Sequence, residues 1–205
     1  QRTTHQRPNG PGVGLGRRLV RDVSRAARNH IYYNNKGDNT VDAVTILLDI
    51  EAIKNLKARY CRLLDTKDWT DWRSLFTDDF LSDTSESGGK VIEGGDEFVA
   101  FVQKMLGKSS RVTVHQVHAP EITITSETTA EGVWALEDVV RLAPGFNMRG
   151  FGHYKETYTK IDGQWKFQTS TLTRLRMDIF NLLFSIYMPP WLQRLGSKSG
   201  SKRGS

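Results

Sequence analysis

Four titratable side chains in the middle of the chain belong to the types that carry acid–base chemistry. Asp65 lies at the carboxyl end of a predicted helix, where the helix dipole opposes a carboxylate. His115 and His118 lie three residues apart in one predicted strand, so they point to opposite faces and one of them faces the interior. His153 lies on a separate strand. An imidazole beside a carboxylate suits proton transfer near neutral pH, although a turn residue and structural histidines would give the same pattern.

Other chemistries find little support in the sequence. The only cysteine, Cys61, cannot form an internal disulfide and has the setting of a small buried hydrophobic residue. With no helical HExxH pattern and with His115 and His118 on opposite faces, we expect no metal site. No glycine-rich phosphate loop follows a strand, and no G-x-S-x-G elbow is present. The residues of the middle of the chain therefore favour acid–base chemistry over these alternatives.

Helices come first along the chain and strands follow. Apolar residues at three- and four-residue spacing predict helices over 49–65, from Asp68, and over 96–106 with Gly107 as the stop. Period-two alternation then predicts strands over 111–118, 121–125, 130–141, 150–161 and 164–177. Asp162-Gly163 predicts a two-residue hairpin turn. This order indicates an α+β fold in which a curved sheet wraps over helices and leaves a closed-ended pocket.

The charge of the chain is concentrated at its ends. Of 205 residues, 38% are apolar and 10% aromatic, which supports a packed core and excludes global disorder. The net charge is +6, but residues 1–36 hold eight basic residues against one acid, and residues 181–205 hold four against none. The remaining stretch carries a net charge of −5. We therefore expect no specific nucleic-acid partner for the middle of the chain.

This charge pattern also suggests the domain boundaries. We predict a basic N-terminal tail over 1–44, for which a targeting presequence is the alternative, and a folded domain over 45–180. The C-terminal segment is assigned as 181–205. We predict an appended helix over 179–195 and a basic polar tail after it. That helix would cap the pocket or pack on a second copy, and an anionic membrane surface is the alternative. No apolar run is long enough to span a bilayer, so we expect a cytoplasmic protein.

A series of segments carries a family resemblance. They are IEAIKNLKARYCRLLDTKDWTDWRSLFTDDF (50–80), VHQVHAPEI (114–122), AEGVWALED (130–138), FGHYKETYTKIDGQWKF (151–167) and LTRLRMD (172–178). Together they resemble the SnoaL-like branch of the nuclear transport factor 2-like superfamily, which includes scytalone dehydratase, bile acid 7α-dehydratase and hexachlorocyclohexane dehydrochlorinase. The resemblance implies a cone-shaped, curved mixed sheet around three N-terminal helices, often as a homodimer or homotrimer.

The resemblance also implies site residues. The catalytic set would be Asp65, His115, Tyr60 and His153, with Asp65 from the D-x-K-D-W pattern. Substrate-binding candidates are His118, Trp134, Asp138, Arg174 and Arg176, with the choice between the two histidines 115 and 118 and between the two arginines left open. No cofactor and no metal are implied.

The resemblance implies a dehydratase or isomerase of the lyase type, acting on a hydrophobic polycyclic or steroid-like small molecule. His115 would move a proton next to a carbonyl, Asp65 would orient the imidazole, and Tyr60 would donate a hydrogen bond to the carbonyl. The alternative is a non-catalytic domain of the same fold that binds a small molecule or a protein partner.

Overall fold

The computed structural model describes residues 43–143 and 145–181 in full and residues 185–188 by their backbone. The predicted N-terminal tail lies outside the described residues. The helices are α1 (Ala43–Thr66), α2 (Trp69–Arg73) and α3 (Gly95–Leu106), with a short 3₁₀ turn at Ser85–Ser87. The strands are β1 (Phe76–Asp83), β2 (Val91–Glu93), β3 (Thr113–Ile124), β4 (Thr129–Ala143), β5 (Phe146–Ile161), β6 (Gln164–Phe180) and β7 (Ser185–Met188).

Helix α1 is longer than the sequence indicated and carries its buried stripe toward the sheet. It begins at Ala43, so Asp49 lies inside the helix rather than at its start. Asp49 instead accepts hydrogen bonds from Lys160 Nζ at 2.6 and 2.8 Å and from Trp165 Nε1 at 3.0 Å. The stripe continues through Ile53 and Tyr60. These contacts fix the start of α1 to the β5–β6 hairpin.

The two shorter helices close one end of the core. Asp68 caps α2, because its carboxylate accepts a hydrogen bond from the backbone N–H of Asp71 at 3.3 Å. Helix α3 ends at Leu106 with Gly107 after it, as predicted. Trp72 of α2 packs on Phe98 of α3 with ring centroids 5.3 Å apart. Aromatic side chains therefore join the two helices.

The sheet is mixed, and its strands follow the order β2-β1-β6-β5-β4-β3, with β7 paired to β6. Strands β1 and β6 run parallel, and the other pairs are antiparallel. Asp162 and Gly163 have φ angles of 50° and 76°, which confirms the two-residue hairpin turn between β5 and β6. The register shifts in β3 between His118 and Glu121 and in β6 on either side of Leu175. Such bulges bend strands and curve the sheet.

Alternation along the long strands divides the sheet into a buried inner face and a more exposed outer face. Inner-face residues of β4 to β6 pack with α1 into one core, and they are Ala130, Trp134, Leu136, Tyr154, Tyr158, Trp165, Phe167 and Leu172. The predicted α+β class, with helices first and a curved mixed sheet around them, is confirmed. The inner face is therefore where a buried site would lie.

The C-terminal prediction needs a correction. We predicted a helix over 179–195, but β6 continues to Phe180 and residues 185–188 form a strand. The reason is the open edge of β6, which offers backbone hydrogen-bonding groups to the returning chain, so Met177 to Phe180 pair with Ser185 to Met188. Residues 182–184 and 189–205 lie outside the described residues. None of the described helices is long and apolar enough to cross a membrane.

Candidate active site

Asp65 and His115 meet at the carboxyl end of α1. His115 Nδ1 lies 2.7 Å from Asp65 Oδ1, and the backbone N–H of His115 donates to Asp65 Oδ2 at 2.8 Å. The Thr113 hydroxyl donates to Asp65 Oδ1 at 2.8 Å. The His115 side chain is 6% exposed and that of Asp65 is 22% exposed. The carboxylate therefore has three donors, and the pair sits at the boundary between the interior and solvent.

The position of β3 explains this geometry. In the described sheet β3 is an edge strand, so the His115 N–H on its outer edge has no strand partner, and Asp65 accepts from it instead. These donors offset the unfavourable placement of a carboxylate at a helix C-terminus. Because Asp65 engages Nδ1, the nitrogen left for chemistry is Nε2, which has no hydrogen-bond partner among the described residues. An imidazole held in this way is oriented for proton transfer.

A buried ion pair lies beside His115 on the inner face. Arg174 donates to both oxygens of Asp138, at 2.9 and 2.6 Å, and the two side chains are 7% and 4% exposed. Asp138 pairs in register with His115 on β3 and with Gly150 on β5, so all three positions share one face. A Cβ at Gly150 would lie 2.2 Å from Arg174 Nη1, so glycine makes room for the guanidinium. Burial opposes the charge of Arg174, but Asp138 outweighs that effect and raises the pKa of the guanidinium.

Two tyrosines continue this row along the inner face. The rings of Tyr60 and Tyr154 lie 6.1 Å apart, and both residues are buried. Burial raises the pKa of Tyr60 well above its ordinary value, and burial followed by the Asp138 charge raises that of Tyr154. Both phenols are therefore neutral at physiological pH and can donate a hydrogen bond.

A second buried ion pair lies farther along the inner face, between α1 and β5. The sequence analysis did not predict it. Lys57 Nζ lies 2.5 Å from Glu156 Oε1, and neither side chain has any exposed area. Glu156 also accepts from the hydroxyls of Tyr158 at 2.6 Å and Ser170 at 3.2 Å. Trp134 Nε1 donates to the Tyr158 hydroxyl at 2.8 Å, so the polar atom of this predicted substrate-binding residue is engaged within the core.

The spacing of apolar residues along the helix and the strand could have identified the Lys57–Glu156 pair. Glu156 is two residues from both Tyr154 and Tyr158, so it shares their inward face of the strand. Lys57 falls four residues after Ile53 and three before Tyr60, on the buried stripe of α1. Charged residues in such positions are buried and must be paired.

Three predicted site residues do not join the group. His118 and His153 lie on the outer face, opposite Ala135 on either side, because the neighbouring Trp134, Leu136 and Tyr154 point inward. Arg176 has a side chain that is 59% exposed and bonds Asp178 on its own strand at 3.0 Å. Of the alternatives that the sequence left open, the structure therefore places His115 and Arg174 on the inner face.

The outer face carries a groove of its own near the ends of β3 to β6. Its volume is about 440 Å³, and it is lined by Val112, Val114, Val139, Arg141, Gly145, Asn147, Phe180 and Asn181. Neither Asp65 nor His115 lines it, so it is separate from the candidate site. Within the described residues, no three histidine, cysteine or acidic side chains are placed together to hold a metal ion.

Comparison with known proteins identifies the family of this chain. A model of the SnoaL-like domain matches residues 45–171. The "Probable cyclase FGR4" of Gibberella zeae is 24% identical over 142 residues, which cover 63% of this chain and 93% of that protein.

Solved structures show the same fold. A scytalone dehydratase-like protein of Novosphingobium aromaticivorans superposes with a TM-score of 0.60 at 24% identity, covering 66% of this chain and 90% of that one. The hexachlorocyclohexane dehydrochlorinase LinA-type3 of Novosphingobium barchaimii superposes with a TM-score of 0.61 at 17% identity, covering 73% and 100%.

Proposed function

We propose an activity for this chain from the premise that it belongs to the SnoaL-like domain family: it is a lyase or isomerase of the dehydratase type that uses Asp65 and His115 as an acid–base pair. The observation that supports this best is the 2.7 Å contact between Asp65 Oδ1 and His115 Nδ1, which leaves Nε2 for a substrate. The named relatives include dehydratase-like, dehydrochlorinase and cyclase proteins, so an enzyme role is consistent with the family.

In the proposed reaction, His115 Nε2 takes a proton from the carbon next to a substrate carbonyl. The electron pair of that C–H bond forms an enolate and then a carbon–carbon double bond as the group on the β-carbon leaves. For a hydroxyl leaving group, the imidazolium returns the proton to the departing oxygen, so that water is released. Asp65 remains ionised throughout and stabilises the imidazolium, as the carboxylate of a catalytic triad does.

Stabilisation of the enolate oxygen falls to the groups next along the inner face. The Arg174 guanidinium carries a fixed positive charge in a buried setting, where such a charge stabilises a developing anion most strongly. The neutral phenols of Tyr60 and Tyr154 can donate hydrogen bonds to the same oxygen. No cofactor takes part in this sequence of steps.

The lining of the inner face favours a hydrophobic substrate. Around the polar row the described side chains are apolar or aromatic, including Leu64, Leu136 and Val117. Because the polar atoms of Lys57, Glu156 and Trp134 are engaged within the core, we place the substrate near Asp65 and His115 instead. We therefore propose a hydrophobic cyclic ketone of the polycyclic or steroid-like class as the substrate, and a homodimer or homotrimer as the assembly that the family resemblance implies.

One observation favours a second candidate function. Asp65 accepts the backbone N–H of an edge strand, and this contact alone would retain the carboxylate as a structural connection between α1 and β3. The domain would then bind a small molecule or a partner without catalysis. Such a domain would bind its ligand equally well after loss of the His115 imidazole.

The test uses a panel of cyclic ketones that carry a β-hydroxyl or β-chloro group. Mass spectrometry records loss of water or HCl, and in D₂O it records deuterium at the α-carbon. Asp65→Asn and His115→Gln should each lower turnover at least about a thousandfold with little change in substrate binding. Asp162→Asn, at the exposed hairpin turn, is the matched control and should keep full activity. Full activity in either site variant would refute the acid–base pair, whereas ligand binding with no turnover in the wild type and unchanged binding in His115→Gln would favour the binding domain.

A further inference from the structure

Helix α1 ends on a lysine in a backbone conformation that favours glycine. Lys67 has a φ of 63°, its N–H donates to the Leu64 carbonyl at 3.3 Å, and the N–H of Asp68 donates to the Leu63 carbonyl at 3.0 Å. These two bonds form a Schellman motif, in which the residue after the helix is usually glycine because a side chain is strained there. Strained residues persist where other contacts hold them in place.

The ammonium of Lys67 makes a contact of that kind. Its Nζ donates to the Thr113 hydroxyl oxygen at 2.8 Å, and Thr113 is buried. The Thr113 hydroxyl has one hydrogen, and Asp65 Oδ1 accepts it at 2.8 Å. Because an ammonium is only a donor, every direction in this chain is fixed. The ammonium donates to the hydroxyl, the hydroxyl donates to the carboxylate, and the same carboxylate oxygen accepts the Nδ1–H of His115.

The charges around Asp65 give this chain an electrostatic role. Burial lowers the pKa of Lys67, and the Asp65 charge opposes that effect, which shows that the ammonium and the carboxylate interact. On the other side of His115 lies the Asp138–Arg174 pair, whose charges balance each other, and Cys61 is a neutral thiol on α1. Lys67 is therefore a cationic group that interacts with Asp65 through the Thr113 hydroxyl.

We propose that Lys67 is a positioning residue which, through the Thr113 hydroxyl, holds the Asp65 carboxylate in the orientation that binds His115. The inference rests on the proposed function, because it assigns Lys67 a part in the same site. With the ammonium in place, the hydroxyl lone pair is occupied and its hydrogen is directed at Oδ1. The positive charge of the ammonium also attracts the Asp65 carboxylate.

Three variants of Lys67 separate this role from a helix-ending role. Lys67→Gly removes both the ammonium and the backbone strain, Lys67→Met removes the ammonium only, and Lys67→Arg keeps a donor. We expect Lys67→Gly to raise Tm by about 3 °C. Lys67→Gly and Lys67→Met should both weaken the contacts of Asp65 with His115, whereas Lys67→Arg should keep them.

Two NMR measurements report on those contacts without a substrate. The first is hydrogen exchange of the His115 backbone amide, compared with that of the core amide of Phe167, which bonds the Leu75 carbonyl. The second is the downfield proton resonance of His115 Nδ1–H. We expect exchange of the His115 amide to accelerate about tenfold in Lys67→Met and Lys67→Gly and the Nδ1–H resonance to move upfield or broaden.

Variants of Thr113 and a matched lysine control complete the experiment. Thr113→Val should reproduce the effects of Lys67→Met, and Thr113→Ser should restore the wild-type signals. Lys54→Met is the control, because Lys54 lies on the same helix but bonds the exposed Glu51 at 2.6 Å. Once a substrate is found, the pH profile of kcat should change in Lys67→Met and stay unchanged in Lys54→Met.

The inference is overturned if Lys67→Gly and Lys67→Met leave both His115 signals as in the wild type, whatever their effect on Tm. It is also overturned if Lys67→Arg disturbs the signals as much as Lys67→Met does. The NMR signals are independent of turnover. Loss of the signals in Lys67→Met together with full activity of His115→Gln would therefore support the contact and refute the proposed function.

Discussion

The buried ion pair of Lys57 and Glu156 allows a test of how the contact between α1 and β5 is stabilised. Lys57→Met would leave the Glu156 carboxylate with two hydroxyl donors and no counter-charge in a site with no solvent exposure. Removing one partner of a buried ion pair costs about 3–5 kcal/mol. For a chain of this size that corresponds to a fall in Tm of roughly 10 °C.

Glu156→Gln should cost somewhat less than Lys57→Met. The ammonium left behind lies 3.6 Å from the centroid of the Tyr154 ring and 4.5 Å from that of Tyr60. Such cation–π contacts are worth about 0.5–2 kcal/mol. The structure therefore predicts a loss of about 2–3 kcal/mol for this variant, less than for the loss of Lys57.

The double variant Lys57→Met/Glu156→Gln decides the matter. Because it leaves no unpaired charge, it should be less destabilised than the sum of the two single variants by at least about 2 kcal/mol. Urea unfolding followed by circular dichroism gives the three free energies of unfolding. Additive losses, or a Lys57→Met loss below about 1 kcal/mol, would refute the reasoning, since neither is compatible with a close, dry ion pair.

Three further predictions concern a glycine, the cysteine and a surface ion pair. Gly150→Ala places a Cβ against Arg174, so we expect a loss of about 1–3 kcal/mol in urea unfolding; an unchanged midpoint would show that the guanidinium is free to move. Burial raises the pKa of Cys61 to about 11, so iodoacetamide at pH 8 should modify it only in urea, as mass spectrometry would record. Arg73 holds the pKa of Asp96 below its ordinary value. The ion pair therefore stabilises the folded state fully above the unfolded pKa of about 3.9, and this stabilisation is lost as the pH falls through the folded pKa. The Tm difference between wild type and Arg73→Met should therefore narrow below about pH 4, and a constant difference down to pH 2.5 would contradict this.

Much of the fold could be predicted from periodicity. Helix α3, its stop at Gly107 and the Asp162-Gly163 turn follow from local rules, because spacing and turn chemistry act over a few residues. Strand β1 (Phe76–Asp83) was missed, since its sequence FTDDFLSD lacks regular alternation and its pairing with β6 is parallel and distant in sequence. The sequence predicts a helix where β7 forms, because the conformation of these residues depends on tertiary pairing with the edge of β6.

The site was predictable in part, and for different reasons at each residue. Residue type and position identify Asp65 and His115 in the sequence. Their contact depends on the tertiary packing of β3 against the end of α1. His153 was included through the family resemblance, although the alternation of Gly152 and Tyr154 already directs it outward. Glu156 was not predicted, because charged side chains are rarely buried. Its spacing of two residues from Tyr154 and from Tyr158 nevertheless indicates that it points inward.

The two ion pairs of the inner face differ from the Asp65–His115 pair in one physical respect. Lys57 with Glu156, and Arg174 with Asp138, have their charges matched and their hydrogen-bonding groups engaged inside the protein. Matched buried groups stabilise one arrangement of the core, and they need no ligand to complete their hydrogen bonds, although a fixed charge such as that of Arg174 can still act on a bound anion. His115 keeps one ring nitrogen without a partner in the described residues, next to a carboxylate held by three donors. A substrate can bind the ring nitrogen that has no partner in the described residues, and this difference supports the proposed reactive centre at the carboxyl end of α1 over one at the more deeply buried Lys57.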